Sequence, residues 1–158
     1  MKTEKGDLIQ MARNGRFDVI IHGCNCFCTM GAGIAKQIKY HFPQAELADQ
    51  KTQAGDKKKL GTYSSAYIKH KDHTFSVINA YTQYHFSGDG ILVDYDAVRK
   101  IFAQIKSDFT KKRIAYPKIG AGLAKGDWVM ISKIIDQALQ DEDHTLVEYD
   151  RHIDNQDI

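Results

Sequence analysis

The chain has 158 residues, a length typical of one globular domain with its own core. A hydrophobic share of 42% and a charged share of 27% exclude a disordered chain. The formal charge of +2 is too small to attract nucleic acid or membranes through bulk electrostatics, so we expect neither as a partner.

The three cysteines, Cys24, Cys26 and Cys28, are odd in number and adjacent in sequence. They do not form a disulfide framework, which indicates a reducing compartment and a cytoplasmic protein. The charged N-terminus lacks the apolar run of a signal peptide, and no apolar stretch approaches the ~20 residues that span a bilayer. No second Cys or His group has zinc-ligand spacing, so we predict neither a metal nor a cofactor.

The first half of the chain alternates between strand and helix patterns. A β-branched run at 18–22 predicts a buried strand. Apolar residues three and four apart over 34–42 predict a helix that Pro43 ends, and a second short helix is expected after it. The lysines at 57–59 are expected in a solvated turn.

The second half continues the alternation. Strands are predicted at 63–70, 74–81, 113–117 and 145–149, the first two as a hairpin, and long helices at 95–109 and 128–138. This order predicts an α/β fold whose ligands bind at the carboxyl ends of the strands. We expect a single domain over 1–158, with a frayed polar tail at 150–158.

Two strand-to-helix turns are rich in glycine in the same way. Gly31-Ala32-Gly33-Ile34 and Gly120-Ala121-Gly122-Leu123 each follow a short strand. Glycine lets a ligand approach the backbone, and N–H groups at a helix N-terminus bind anions. Each loop alone could be only a tight turn, but the two together predict a diphosphate site. Neither loop has a P-loop or a Gly-x-Gly-x-x-Gly motif.

The order and spacing of these motifs resemble those of a macro domain. The resemblance rests on Gly6-Asp7-Leu8, the strand 18–22 with Asn25, and both glycine loops, and it extends over about residues 4–150. The segment 120–128 is similar to the branch of ADP-ribose 1″-phosphate phosphatases and terminal ADP-ribose-protein hydrolases. The resemblance implies a three-layer α/β/α fold with a mixed central sheet and a cleft for ADP-ribose or a derivative.

The resemblance also implies which residues bind the ligand. Asp7 would accept a hydrogen bond from the adenine amino group, with helix capping as its alternative or additional role. The loops would hold the diphosphate and distal ribose, and Tyr149 would pack either on adenine or in the core. The implied ligand-binding residues are Asp7, Leu8, Gly31, Ala32, Gly33, Ile34, Ile119, Gly120, Ala121, Gly122, Leu123 and Tyr149.

The catalytic groups follow less directly from the resemblance. Asn25 would orient the distal ribose through its carboxamide, and His22 replaces the family's preceding asparagine. The lysine and aspartate of the hydrolase branch are absent at the expected places, which hold 79–81 and Ala124, so a lysine mechanism is not expected. The catalytic candidates are Asn25, His22, Asn79 and Asp94, with His85 and Asp96 as further groups that could activate water.

The expected function is hydrolysis of a substituent on the distal ribose. ADP-ribose 1″-phosphate is the first candidate substrate, followed by O-acyl-ADP-ribose and protein-linked ADP-ribose. One alternative is a module that binds ADP-ribose without chemistry, and another is a binder of nucleotides or RNA ends. The oligomeric state is left open.

Overall fold

A six-stranded sheet lies at the centre of the computed structural model, which describes residues 1–150. The predicted tail therefore lies, apart from Asp150, outside the described residues. In chain order the elements are β1 (Lys2–Gly6), α1 (Leu8–Arg13), β2 (Val19–Cys24), α2 (Gly33–His41), α3 (Pro43–Gln50), β3 (Tyr63–His70), β4 (His73–Tyr81), α4 (Tyr95–Asp108), β5 (Ile114–Tyr116), α5 (Trp128–Ala138) and β6 (His144–Tyr149). A single 3₁₀ turn, Lys57–Lys59, precedes β3.

The strand order is β1-β6-β5-β2-β4-β3. Every neighbouring pair is parallel except β3 and β4, which form the predicted antiparallel hairpin. The sheet is therefore mixed, as expected. Because the other five strands run in one direction, the segments that follow them meet at one edge of the sheet.

Helices cover both faces of the sheet. Val19 and Ile21 of β2 belong to the core shared with α4 and α5, whereas Ile20 belongs to the core shared with α1, α2 and α3. Successive side chains of a strand point to opposite faces, so a strand buried on both faces is apolar without alternation. This explains the continuous run at 18–22 and confirms the three-layer architecture.

Strand β1 was not among the predicted elements. Its sequence, Lys-Thr-Glu-Lys-Gly, has no apolar alternation, since it is an edge strand paired only with β6. Its backbone pairing is supplied by the tertiary structure. The strand places Gly6 and Asp7 at the carboxyl edge.

The prediction of a solvated turn at 57–59 is wrong for one lysine. Lys57 and Lys58 are exposed, but Lys59 is only 7% exposed. Its ammonium group donates to the carbonyl of Cys26 at 3.1 Å and lies 4.6 Å from the centroid of the Tyr81 ring. These contacts come from distant segments, which the local sequence does not reveal.

None of the helices within residues 1–150 is long and apolar enough to cross a membrane.

Candidate functional site

Two adjoining cavities lie at the carboxyl edge, between loop 1 (25–32, joining β2 to α2) and loop 2 (117–127, joining β5 to α5). The loop cavity has a volume of about 580 Å³ and lies between the two loops. The Tyr149 cavity has a volume of about 940 Å³ and extends from the loops to Asp7 and Tyr149. The cavities share lining residues Gly33, Ile34, Pro117, Lys118 and Gly122. They therefore form one continuous cleft.

Loop 1 presents an uncapped helix end to the cleft. Ala32, the N-cap of α2, provides no side-chain hydrogen bond, so the first N–H groups of the helix have no capping partner. Gly33 has φ +57°, and no atom lies within 4 Å of the place where Gly31 would carry a Cβ. The loop thus offers backbone donors and open space, the requirements of an anion site.

Loop 2 uses its glycines in two ways. Gly120 has φ +74°, and a Cβ there would lie 2.6 Å from Cγ2 of Val93. The N–H of Gly126 donates to the Gly120 carbonyl at 2.7 Å and closes the loop. Gly122, in contrast, faces open space. The tight-turn interpretation therefore applies to Gly120, whereas Gly122 leaves room for a ligand.

The loops meet across the cleft through Leu123. Its side chain is 69% exposed, and its Cδ1 lies 3.5 Å from the place of a Cβ on Gly33. Ile119 is buried below it and lines the loop cavity, whereas Ala121 lines the Tyr149 cavity.

The far end of the cleft holds Asp7, Leu8 and Tyr149. One carboxylate oxygen of Asp7 accepts hydrogen bonds from the N–H groups of Ile9 at 2.9 Å and Gln10 at 3.2 Å, so the residue caps α1. The core alternative for Tyr149 is wrong, because its side chain is 65% exposed. Both side chains therefore border a cavity, as a role in binding adenine requires.

Asn25 lies in the wall of the loop cavity and holds loop 1 in shape. Its amide nitrogen donates to Oγ1 of Thr29 at 2.7 Å and to the Thr29 carbonyl at 3.1 Å. Its oxygen accepts from the N–H of Phe27 at 2.8 Å. With both amide hydrogens used, the remaining lone pair of Oδ1 is its ready contact for a ligand.

His22 and Asn79 lie behind the cleft, not in it. Both are fully buried, and Nε2 of His22 donates to Oδ1 of Asn79 at 2.7 Å. Asn79 in turn donates to the Ala45 carbonyl at 2.9 Å and to Oγ of Ser64 at 3.0 Å. Burial lowers the pKa of His22 to about 4, so its ring is neutral at pH 7. Direct contact with a ligand, as the catalytic hypothesis for these two residues requires, is not available in this arrangement.

The other three catalytic candidates, two aspartates and a histidine, also lie away from the loop cavity. Asp94 caps α4 by accepting from the N–H of Ala97 at 2.9 Å. Asp96 pairs with Arg99 at 2.6 Å on the surface, and the His85 ring packs against Phe86 at a centroid distance of 4.2 Å. None of the three lines the loop cavity.

The cysteines fill space under loop 1. Cys24 and Cys26 are buried, and burial raises the pKa of both thiols. Cys24 lines the loop cavity, with its sulfur 3.6 Å from Nε2 of His22. Cys28 is half-buried, and its sulfur lies 3.5 Å from Nζ of Lys59. Within residues 1–150 no group of three or more His, Cys, Asp or Glu side chains is placed to hold a metal ion.

Sequence reasoning missed Thr82, which directly follows β4 in the wall of the loop cavity. The residue is 1% exposed, and its hydroxyl has no hydrogen-bond partner among the described residues. A Cβ on Gly23 would lie 2.9 Å from this oxygen. Its place after a parallel strand, at the same edge as both loops, was the signal that could have found it.

Comparison with solved structures identifies the class of fold. The macrodomain of Mycobacterium tuberculosis DarG superimposes with a TM-score of 0.74 and 23% identity, over 93% of this chain and 95% of that chain. A Trypanosoma brucei macrodomain in complex with ADP-ribose gives a TM-score of 0.59 and 14% identity, over 98% of this chain and 65% of that chain. The fold is that of the macrodomains, as the motifs implied.

A sequence relative is found in a bacteriophage. An uncharacterized 17.5 kDa protein from the tk-vs intergenic region of Enterobacteria phage T4 is 36% identical over 141 residues, which cover 86% of this chain and 88% of the phage protein. The chain belongs to the same family as this phage protein. No protein-family model matches the chain.

Proposed function

We propose that the chain binds ADP-ribose in the cleft and hydrolyses a substituent on its distal ribose, with ADP-ribose 1″-phosphate as the first substrate. The observation that carries the proposal is the pairing of an uncapped α2 N-terminus with the open side of loop 2 across one cavity. Support also comes from the macrodomain fold, since structures of this fold include complexes with ADP-ribose.

The proposed orientation of ADP-ribose follows from the residues that line each part of the cleft. Adenine lies in the Tyr149 cavity, with its amino group toward Asp7 and its ring against Tyr149. The diphosphate lies between loops 1 and 2, where backbone N–H groups and the adjacent Lys118 offset its charge. The distal ribose then occupies the loop cavity beside Asn25.

The chemistry would depend on charge stabilisation more than on a general base. Backbone N–H groups of 31–33, at the uncapped end of α2, would stabilise negative charge that develops on the departing oxygen. Among the described residues lining the loop cavity, the ionisable groups are Cys24 and Lys118, with no carboxylate or imidazole. The proton of the attacking water would therefore pass to the substrate phosphate, while the Asn25 oxygen would orient that water by accepting a hydrogen bond from it.

The same lining favours a second function, recognition of ADP-ribose without turnover. A cavity with no carboxylate or imidazole among its described residues has donors for binding but lacks the usual general base. De-acylation and removal of ADP-ribose from proteins require the same loop cavity and remain further alternatives for the enzyme.

A substrate panel tests these functions. ADP-ribose 1″-phosphate, O-acetyl-ADP-ribose and ADP-ribosylated protein are incubated with the protein, and ADP-ribose binding is measured by calorimetry. Release of phosphate from the first substrate supports the proposed activity, whereas binding without turnover of any of them supports recognition alone. Absence of ADP-ribose binding would contradict both.

The third function considered, binding of RNA ends, predicts a different response to salt. Contacts to several backbone phosphates make affinity fall steeply as salt concentration rises. Titration of a short 5′-phosphorylated RNA at two salt concentrations tests this, and either no binding or an affinity that does not fall at the higher salt concentration would exclude it.

A further inference from the structure

A third cavity, lined by polar and basic side chains, lies at the C-terminal end of α1. The cleft lies at the N-terminal end of the same helix, beside Asp7. The third cavity has a volume of about 610 Å³. The residues that line it, here called the basic pocket, are Gln10, Arg13, Asn14, His70, Lys71 and His73. They come from the end of α1 and from the turn of the β3–β4 hairpin. Each side chain has an N–H that can donate, and none carries a negative charge.

Arg13 is unusual among the described arginines because it lacks an acidic partner. Arg16, Arg99 and Arg113 each form an ion pair with a carboxylate, at 2.9, 2.6 and 2.9 Å. Arg13 has a single polar contact, 3.4 Å from its Nη1 to Nδ1 of His41, and its buried Nε has no hydrogen-bond partner in residues 1–150. A guanidinium in this state has at least three unused donors.

The positive charges of the basic pocket act on one another. Burial lowers the pKa of His70, and the charges of Arg13, Lys71 and His73 lower it further. Asp72 belongs to the same turn, but within the described part of the chain no carboxylate forms an ion pair with Arg13 or Lys71. Neither Arg13 nor Lys71 is therefore neutralised by an ion pair, and an anion bound between them would be attracted by both charges.

We propose that the basic pocket binds a phosphate group. A guanidinium fork takes two oxygens of a phosphate, while an ammonium group and imidazole N–H groups approach the others. The donors of the pocket come from two elements, α1 and the hairpin turn, so they can contact a tetrahedral anion from more than one side.

The phosphate has two possible sources, because the pocket lies next to the cleft. His41, the contact of Arg13, also lines the Tyr149 cavity, so the Arg13–His41 contact connects the two cavities. A nucleotide in the cleft that carries an extra phosphate on its adenosine end would bring that group past His41 to Arg13. Free phosphate would reach the same donors from solvent.

The first experiment uses inorganic phosphate alone, so it does not rest on the proposed function. The His70 ring signals are followed by NMR at pH 7 during a phosphate titration. We expect a saturable shift and a raised pKa of His70, weakened about tenfold or more in Arg13→Gln, since a charged hydrogen-bond donor is lost. Lys133→Gln, which removes an exposed charge from α5, serves as the control and should titrate like the wild type.

The second experiment separates the two sources. ADP-ribose and its 2′-phosphate derivative are compared by calorimetry in wild type and Arg13→Gln. Tighter binding of the 2′-phosphate, lost in the variant, assigns the phosphate to a ligand that also fills the cleft. Equal binding of both nucleotides, with the His70 response to phosphate retained, assigns the pocket to free phosphate.

Two outcomes would overturn the proposal. One is a wild-type His70 signal that does not respond to phosphate, and the other is an undiminished response in a folded Arg13→Gln protein. Lys71→Gln provides a second variant on a different element, with its fold checked by thermal denaturation. It should also weaken phosphate binding.

Discussion

At the scale of single residues, contact with the loop cavity separates the groups that could touch a ligand from those that support them. Asn25 and Thr82 line the loop cavity, whereas His22 and Asn79 are hydrogen-bonded to each other behind it. From residue type alone, the imidazole of His22 was a plausible catalytic group. Because it lies in a strand buried on both faces, it has no contact with solvent.

Replacement of Thr82 by valine separates stability from binding. A buried hydroxyl without a partner costs free energy, so Thr82→Val should leave the free energy of unfolding unchanged or raise it by about 1 kcal/mol. If a ligand oxygen satisfies the hydroxyl, affinity for ADP-ribose should fall about tenfold. Denaturant unfolding and calorimetry measure the two effects, with Thr82→Ser as the control that keeps the hydroxyl. Lowered stability with unchanged affinity would contradict this role.

Lys59 should be essential to stability although it lies in a lysine-rich turn. Lys59→Met removes the charged donor of the Cys26 carbonyl, which keeps only the N–H of Gly55 at 2.7 Å, and removes the cation from the Tyr81 ring. We expect a loss of about 2–3 kcal/mol in the free energy of unfolding. The neighbouring Lys58→Met, at an exposed site, should change it by less than about 0.5 kcal/mol. Equal effects in urea denaturation would show that the burial of Lys59 is unimportant.

At the scale of elements, the two glycine loops combine a structural and a ligand-facing part. The closing hydrogen bond from Gly126 to Gly120 and the packing of Val93 shape loop 2. Gly122 stands at the open side of the same loop. One sequence motif, Gly-Ala-Gly, thus contains glycines needed for different reasons.

Two glycine variants distinguish these reasons. Gly122→Glu adds volume and negative charge where there is open space, so the protein should fold normally and lose measurable ADP-ribose binding. In Gly120→Ala, the alanine would have to adopt a left-handed φ, and its Cβ would clash with Val93. This variant should therefore lower the free energy of unfolding by about 2 kcal/mol or more. Thermal denaturation and calorimetry on both proteins check this division. Retained binding in folded Gly122→Glu would refute the placement of the diphosphate.

At the scale of the whole molecule, the buried His22 links stability to pH. Its pKa falls from 6.5 to about 4 on folding, so the unfolded chain takes up more protons between these values. Stability from this group is complete above about pH 6.5 and decreases as the pH falls toward 4. The loss amounts to roughly 3.5 kcal/mol at most, from about 1.4 kcal/mol per pKa unit.

The variant His22→Gln tests this linkage, since glutamine keeps a donor for Asn79 but does not titrate. Urea unfolding at several pH values between 4 and 7 should give a smaller slope of stability against pH than in the wild type. His144, whose pKa is also lowered by burial, is present in both proteins and contributes equally. An unchanged slope would show that His22 does not carry the effect.

Much of the architecture was determined by the sequence itself. The apolar run at 18–22, the helical spacing over 95–109 and 128–138, and both glycine loops are local patterns, and each formed the predicted element. Local periodicity is sufficient here because each of these elements buries a face against the sheet. The motif order was likewise enough to indicate a macro domain.

Only the tertiary structure decided which polar segments pair, which polar side chains are buried and which of them border the cleft. The polar edge strand β1, the buried ammonium of Lys59 and the unpartnered hydroxyl of Thr82 depend on residues distant in sequence. Hydrogen-bond partners and exclusion from water are properties of the assembled chain, and residue type does not encode them. For this reason the glycine loops were recognised from the sequence, whereas the basic pocket at Arg13 was found only where α1 meets the hairpin.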